Sequence, residues 1–520
     1  MAHAGGEATI LDGLLADAET ALAAGAAARA TGLYHAVLSM SPDHPAALRQ
    51  LGALEINRGS PETALALFER AKAKGLDADL CHAIATCFRM IGRPGLARSA
   101  LAAALSLDPG HAPSLYDQAL EHQRRGELAA ARTLYVKLGS LGGLHSKALL
   151  NYGVVLYRLG NLVAAERWFQ AAGQVDPASP LPFINLAMVY RVWGFLPQAI
   201  ACLEHAITLA PENADAHWNL ANALLTSGDF KRGFAEYEWR FRREGRGERS
   251  MSMPRWQGQP LAGKTLLLAL EQGIGDVIHF VRFADRLAAR GASVIVECHA
   301  GLQSLIGTAP GVSRTVAPGT PVAADFYLPL LSVPQALGVT LDDLQSMPAY
   351  LGVPAGTRAF DLAGRFKAGL VWRGNPQHEN DRWRSVPLSL LLPLLDVPGV
   401  TYYSLQVGAA ASECAQAPWR ERVTDLAPRL TDFAATAAAV SALDLVITVD
   451  TAVAHLAGAL GKPVWLLIAQ GNDWRWLHER DDTPWYPAMR LFRQRKHRNW
   501  QPTVKLLAAA LAALAAEPLA

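Results

Sequence analysis

Seven glycines, Gly25, Gly59, Gly92, Gly126, Gly160, Gly194 and Gly228, recur through the first half of the chain at spacings of 34, 33, 34, 34, 34 and 34. Five positions after each comes a small residue: Ala30, Ala64, Ala97, Ala131, Ala165, Ala199 and Gly233. Four positions further on stands a large apolar one: Tyr34, Phe68, Leu101, Tyr135, Phe169, Leu203 and Tyr237. Pro42, Pro109, Pro177 and Pro211 close four of the units. A unit of this length holds two helices of about a dozen residues each. The glycine turns the chain between them, the small residue lets them approach, and the bulky one fills the gap to the next pair. No such unit buries a core alone, so the units stack into a solenoid with a long concave face. An α-solenoid of about seven helix pairs over residues 1–243 is therefore the expectation.

This pattern resembles the tetratricopeptide repeat (TPR) over roughly residues 11 to 243. The resemblance implies a groove that docks a protein, with a spacer or dimerisation arm as the other reading. The last unit runs into Glu238-Trp239-Arg240-Phe241-Arg242-Arg243-Glu244-Gly245-Arg246, read as a basic, solvated hinge leading into a linker over 244–261.

From Lys264 the periodicity changes to short apolar runs separated by helical stretches, as in a parallel sheet covered on both faces. Thr265–Leu270, Ser293–Cys298 and Asp325–Leu330 read as strands of one Rossmann-like lobe, placed at 262–360. Ala368–Arg373, Thr401–Gln406, Leu445–Val449 and Val464–Ile468 read as strands of a second, placed at 361–520. The expected fold is thus a helical solenoid followed by two α/β lobes with a cleft between them.

Three stretches carry chemistry. In Asp444–Pro463 a β-branched strand is followed by Asp450 and Thr451, both good helix N-caps, and by the small Ala452. A helix starting there aims free N–H groups and its positive dipole end at the crevice, which makes an anion seat. The other reading is an ordinary strand-to-helix turn with His455 merely packed. Gly273 and Gly275 permit a second sharp turn, and Asp276 stands at the mouth of the crevice, where a carboxylate can take a proton from an attacking hydroxyl or simply cap its helix. Arg373, Arg382 and Arg384 flank a long polar loop. Guanidinium groups pair with phosphate through two parallel hydrogen bonds, so one of them is expected on a diphosphate and the others on the loop, with Asp381 as a possible structural partner.

A net charge of +2 over 520 residues gives no electrostatic reason for bulk binding to nucleic acid or to an anionic membrane. Five scattered cysteines show neither a CxxC pair nor zinc spacing, and read as small buried residues in a reducing compartment. The acidic start lacks a secretion signal, and the apolar run Leu506 to Ala516 is too short to span a membrane. A cytoplasmic location is expected. No HxxxH or DxD pattern stands out, so chemistry without a metal is expected, with no cofactor.

The strings EQGIGDVIHFVRF, GLVWRGNPQHENDRWRS, VDTAVAHLAGALGKPVW and DWRWLHERDDTPWYPAMRLFRQ resemble the transferase half of bacterial TPR glycosyltransferases, whose catalytic part is similar to heptosyltransferases of the GT-B fold. The resemblance implies a nucleotide-sugar donor on the C-terminal lobe and an acceptor on the N-terminal lobe. It implies Asp276 as general base, and Arg384, Asp450, Thr451, Ala452, Val453 and His455 around the nucleotide sugar, where the turn and loop readings above also place Gly273, Gly275 and Arg373. His378, Gln470, Asn472 and Trp474 are candidate acceptor or sugar contacts, although core packing competes for Trp474. The simpler heptosyltransferases have lysine where Arg384 stands, usually glycine where Ala452 stands, and no repeats in front. The last two of these departures count against heptose as the sugar and lipid as the acceptor. Enzymes of this layout make flagellin, modified on serine or threonine with a hexose or nonulosonic acid, the implied acceptor. Two other readings stay open at this point: a scaffold with an inactive transferase half, and a transferase for polysaccharide or lipid.

Overall fold

The computed structural model describes residues 2–344, 347–377, 381–416, 418–471, 473–495 and 499–516. The chain forms two compact units, Met1–Pro182 and Phe183–Ala520.

Fourteen helices run in order from Ala2 to Tyr237, and all seven period glycines lie at the turns inside the pairs. Each has a left-handed backbone, with φ between 73° and 91°, a conformation a side chain resists. In the pair Pro45–Asn57 and Pro61–Lys72, Ala64 and Phe68 are 0% and 2% exposed. A Cβ on Gly52 would lie 2.4 Å from the Phe68 ring, so the first helix needs a glycine for the ring to enter. Gly153 repeats this against Phe169 at 2.5 Å.

The first unit contains the helices from Ala2–Ala23 to Leu162–Val175. The boundary at Pro182 falls inside the repeat pattern, whereas the sequence reading placed it after residue 243. The reason is burial. Phe230, Phe234 and Tyr237 of the Phe230–Tyr237 helix share one core cluster with Val277, Phe280, Trp474 and Trp485 of the α/β lobes. The last two helix pairs therefore belong, as packing, to the α/β unit.

Residues 244–261 are mostly exposed, yet the segment is anchored to the first lobe at two points. Trp256 and Leu261 are each 2% exposed, Trp256 N–H donates to the Tyr327 carbonyl at 2.8 Å, and the Tyr327 N–H donates back to Pro254 at 3.1 Å. Arg240, read as a hinge cation, is 6% exposed and donates to Glu271 at 2.9 and 3.1 Å, to Glu238 at 2.7 Å and to Ser332 at 2.7 Å.

The first lobe is a four-stranded parallel sheet of β1 (Thr265–Ala269), β2 (Ser293–Glu297), β3 (Val312–Val316) and β4 (Phe326–Pro329), ordered β3-β2-β1-β4. The second is a six-stranded parallel sheet of β5 (Phe366–Val371), β6 (Val400–Ser404), β7 (Val423–Asp425), β8 (Leu445–Val449), β9 (Val464–Ile468) and β10 (Met489–Arg493), ordered β10-β9-β8-β5-β6-β7. Strands β3, β7 and β10 were not foreseen. The first two are short or half exposed, and the basic stretch from Arg490 conceals an edge strand whose Leu491 and Phe492 are buried. Strands β8 and β9 carry long apolar runs, and every residue in them is buried. Among the described residues no helix is long and apolar enough to cross a membrane.

Candidate functional site

Strand order locates the crevice in each lobe. In the second sheet the chain winds from β5 outward to β7, then returns to the other side of β5 with β8. The reversal lies between β5 and β8, and ligands of such sheets bind beyond the carboxyl ends of the strands at that point. Past β5 come Arg373, Gly374 and, after the loop, Arg384; past β8 come Asp450 and Thr451. The first sheet reverses between β1 and β4, and β1 leads to Gly273, Gly275 and Asp276.

These two turns face each other. A Cβ on Gly275 would lie 3.6 Å from the Ala452 Cα and 3.1 Å from the His455 ring, so the Ile274–Phe280 helix and the Ala452–Ala459 helix meet at their starts. Thr451 takes the N-cap position with an extended backbone, and its hydroxyl lies 3.2 Å from that of Thr448 rather than on the helix amides. The amides of Ala452 and Val453 belong to the first turn, where no carbonyl of the helix can reach them.

Asp276 is engaged through both oxygens. One accepts from the Gly273 N–H at 2.9 Å, which caps the helix; the other accepts from Arg475 at 2.6 Å. Arg475, 5% exposed, also donates to both oxygens of Asp473 at 2.9 and 3.1 Å. Half-buried Asp450 lies in the same field: burial and the neighbouring Asp473 charge push its carboxyl up, to about 6. Burial pushes the Asp473 carboxyl the same way, but Arg475 outweighs it and holds the group below its ordinary value.

Both arginines whose side chains are described pair with a carboxylate of the protein. Arg384 packs on Gly374, where a Cβ would lie 2.6 Å from its guanidinium, with Asp381 at 3.3 Å, and its charge reaches Asp450. Arg373 instead pairs with Glu413 at 2.6 Å, and its N–H donates to Gln406 at 2.9 Å, so it braces the end of β5. The side chain of Arg382 and residues His378 and Asn472 lie outside the described residues. Gln470 is half-buried just past β9, its N–H donating to Gln494.

His455 is turned into the contact between the lobes. It is 6% exposed, stacks on Trp476 at 5.2 Å and meets the Tyr486 hydroxyl through Nδ1 at 2.9 Å. The same hydroxyl lies 3.0 Å from Nδ1 of buried His279. A hydroxyl has one hydrogen, so at least one of the two rings carries its own on Nδ1. Burial, reinforced by the Arg475 charge, holds His455 down to about 3, so at neutral pH it is uncharged and gives a phosphate no ion pair.

That shift has a measurable consequence. An unfolded ring takes up a proton below its ordinary 6.5, while the folded ring resists until about 3. The stability it contributes is thus present above 6.5 and lost as the pH falls from there towards 3, by about 1.4 kcal/mol per pH unit per ring. His279 is held down as well and adds in the same direction. Urea unfolding at about pH 7.5 and about pH 5 should show stability falling with acid, and His455→Gln should flatten that slope. Equal slopes in the two proteins would refute a neutral buried ring.

Residues 405–499 match the model for glycosyltransferase family 9 (heptosyltransferase), while residues 116–180 and 194–228 match two tetratricopeptide repeat models. This chain is a heptosyltransferase-like glycosyltransferase behind tetratricopeptide repeats. The glycosyltransferase is 28% identical to Protein FlbA of Caulobacter vibrioides over 524 residues, covering 93% of this chain and 81% of that one. It is 16% identical to a solved structure of the APC/C hetero-tetramer Cut9-Hcn1, with a TM-score of 0.37, covering 41% of this chain and 42% of that chain. With MamA 41-end from Desulfovibrio magneticus RS-1 it shares 22% identity at a TM-score of 0.29, over 31% of this chain and 91% of that one. The family 9 match includes Asp450, Thr451, Ala452, Val453 and His455 and ends short of Asp276 and Arg384, which strand order and contact bring to the same crevice.

Trp474 of the glycosyltransferase is corrected from candidate sugar contact to core residue. It is 1% exposed, with Phe234 at 5.6 Å, Tyr237 at 6.3 Å and Trp485 at 5.9 Å from its ring. Sequence reasoning passed over Arg475 and Asp473. The signal was present: an arginine between two tryptophans, two residues after an aspartate and just past a buried strand, is a cation that folding has to bury with a partner.

Proposed function

We propose that this glycosyltransferase moves a sugar from a nucleotide sugar to a serine or threonine hydroxyl of a protein held by its repeats, flagellin being the acceptor implied by the resemblance. The donor phosphates rest on the amides of Ala452 and Val453, with Arg384 beside them. The acceptor oxygen bonds to the anomeric carbon as the bond from that carbon to the phosphate oxygen breaks, inverting the centre. Asp276 receives the hydroxyl proton, and the nucleotide leaves with the bonding electron pair. Arg384 and the helix start stabilise the charge that develops on it, in a crevice where fixed dipoles act more strongly than in water.

One observation supports this most: the carboxylate that follows β1 and the helix start that follows β8 come from the reversal points of two separate sheets, and they adjoin through Gly275 and Ala452. A packed turn with no ligand does not require both sheets to aim their reversals at one place.

Full-length protein incubated with UDP-, GDP-, ADP- and CMP-sugars and flagellin, then read by intact mass, should add sugar to flagellin with at least one donor. No added mass with any donor, together with no donor hydrolysis, overturns the proposal. Donor consumption with label appearing only on lipid or polysaccharide overturns the protein acceptor alone. Nucleoside diphosphates and CMP at saturating concentration should include at least one that raises the melting temperature through mass action; no shift with any of them points to a scaffold.

A further inference from the structure

We infer that Arg475 is a positioning residue that holds Asp276 across the lobe interface, so that the base is aimed only while the lobes keep this contact. The inference rests on Asp276 being the base. Arg475 lies past β9 in the second lobe, and Asp276 follows β1 in the first, 199 residues earlier. Arg475 thus reaches from one lobe into the other.

The geometry is that of a clamp with a fixed handle. One arm of the guanidinium meets Asp276 at 2.6 Å, and the other is gripped by both oxygens of Asp473. Asp473 also accepts the Arg475 backbone N–H at 3.0 Å, closing a tight ring at the base of the side chain. The guanidinium lies 4.5 Å from the Trp474 ring centre and 5.3 Å from that of Phe280, which leaves the group few rotamers. Asp276 is meanwhile tied to its own lobe by the Gly273 N–H. The carboxylate is therefore fixed from both sides, one oxygen by each lobe.

Cohesion alone is a poor account of this arrangement. Burying a guanidinium is costly, and apolar residues of similar size hold lobes together at least as well. What an arginine adds is a planar fork that can satisfy two carboxylates at a set angle, which lysine cannot. A small separation of the lobes breaks a 2.6 Å contact and releases the carboxylate, which couples base orientation to lobe approach.

The first test needs no ligand. Full-length protein is treated with a water-soluble carbodiimide and glycine ethyl ester, and labelling at Asp276 and Asp450 is read by peptide mass mapping. Arg475→Lys should raise labelling of Asp276 several-fold relative to Asp450, and Asp473→Asn, which conserves volume, should raise it less. Unchanged labelling of Asp276 in both variants overturns the inference. The second test uses the transfer assay. Arg475→Lys should lower kcat by about 10²-fold, the scale of a 1 Å misplacement, with donor KM nearly unchanged. Guanidinium ion should restore part of the rate in Arg475→Ala, which a purely structural role does not predict. Asp276→Asn separates the two readings: loss of transfer there with a normal rate in Arg475→Lys removes the brace and keeps the base, whereas a normal rate in Asp276→Asn removes the base itself.

Discussion

Sugar transfer should fall by about 10²–10⁴-fold when Asp276 is replaced by asparagine, the range that general-base removal produces. Asparagine keeps the volume and one carbonyl oxygen, so it can still accept either from Arg475 or from the Gly273 N–H, the two donors that now hold the carboxylate. It cannot take the proton of an acceptor hydroxyl. The loss should therefore appear in kcat and kcat/KM alike, with donor affinity within about two-fold of the parent, because an interaction made only in the transition state has been removed. Isothermal titration with the nucleoside diphosphate, run beside the transfer assay, checks both halves. A variant that transfers within a few-fold of the parent rate would leave Asp276 as a helix cap and ion-pair partner only.

The second large effect concerns stability. Trp474→Ala should destabilise the unit Phe183–Ala520 by about 3–5 kcal/mol, as large buried aromatic deletions do. The indole is surrounded by Phe230, Phe234 and Tyr237 from the last repeat helix and by Phe280 and Trp485 from the lobes. Hydrogen exchange in rising urea should show peptides of the Phe230–Tyr237 helix and of β9 losing protection together at a lower midpoint. Were Trp474 a sugar platform, the same change would weaken donor or acceptor binding and leave that midpoint in place.

These two residues show where sequence reading works and where it stops. The repeats were legible because their cause is local: a glycine that turns left-handed, an alanine that admits a neighbour and a ring that fills the gap recur at one period, and all seven turns take up the expected backbone. Strands β8 and β9 were legible to the residue because an apolar run buried on both faces leaves a mark that needs no knowledge of its partners. Short β7 and half-exposed β3 carry no such mark. The role of Trp474 was ambiguous for a related reason, since a tryptophan in a loop reads alike whether its ring meets a sugar or another helix.

What the chain's order of residues determined, then, was every feature produced by neighbours in sequence: the paired helices, the two parallel sheets, and the turns at Gly273–Asp276 and Asp450–Val453. Tertiary structure alone decided that Arg475 faces Asp276, that Arg240 is buried on Glu271, and that the last two repeats join the catalytic unit. Hydrophobic period and backbone sterics act over a few residues, whereas an ion pair is chosen by which distant backbones arrive within about 4 Å of each other, and only the packed core sets that.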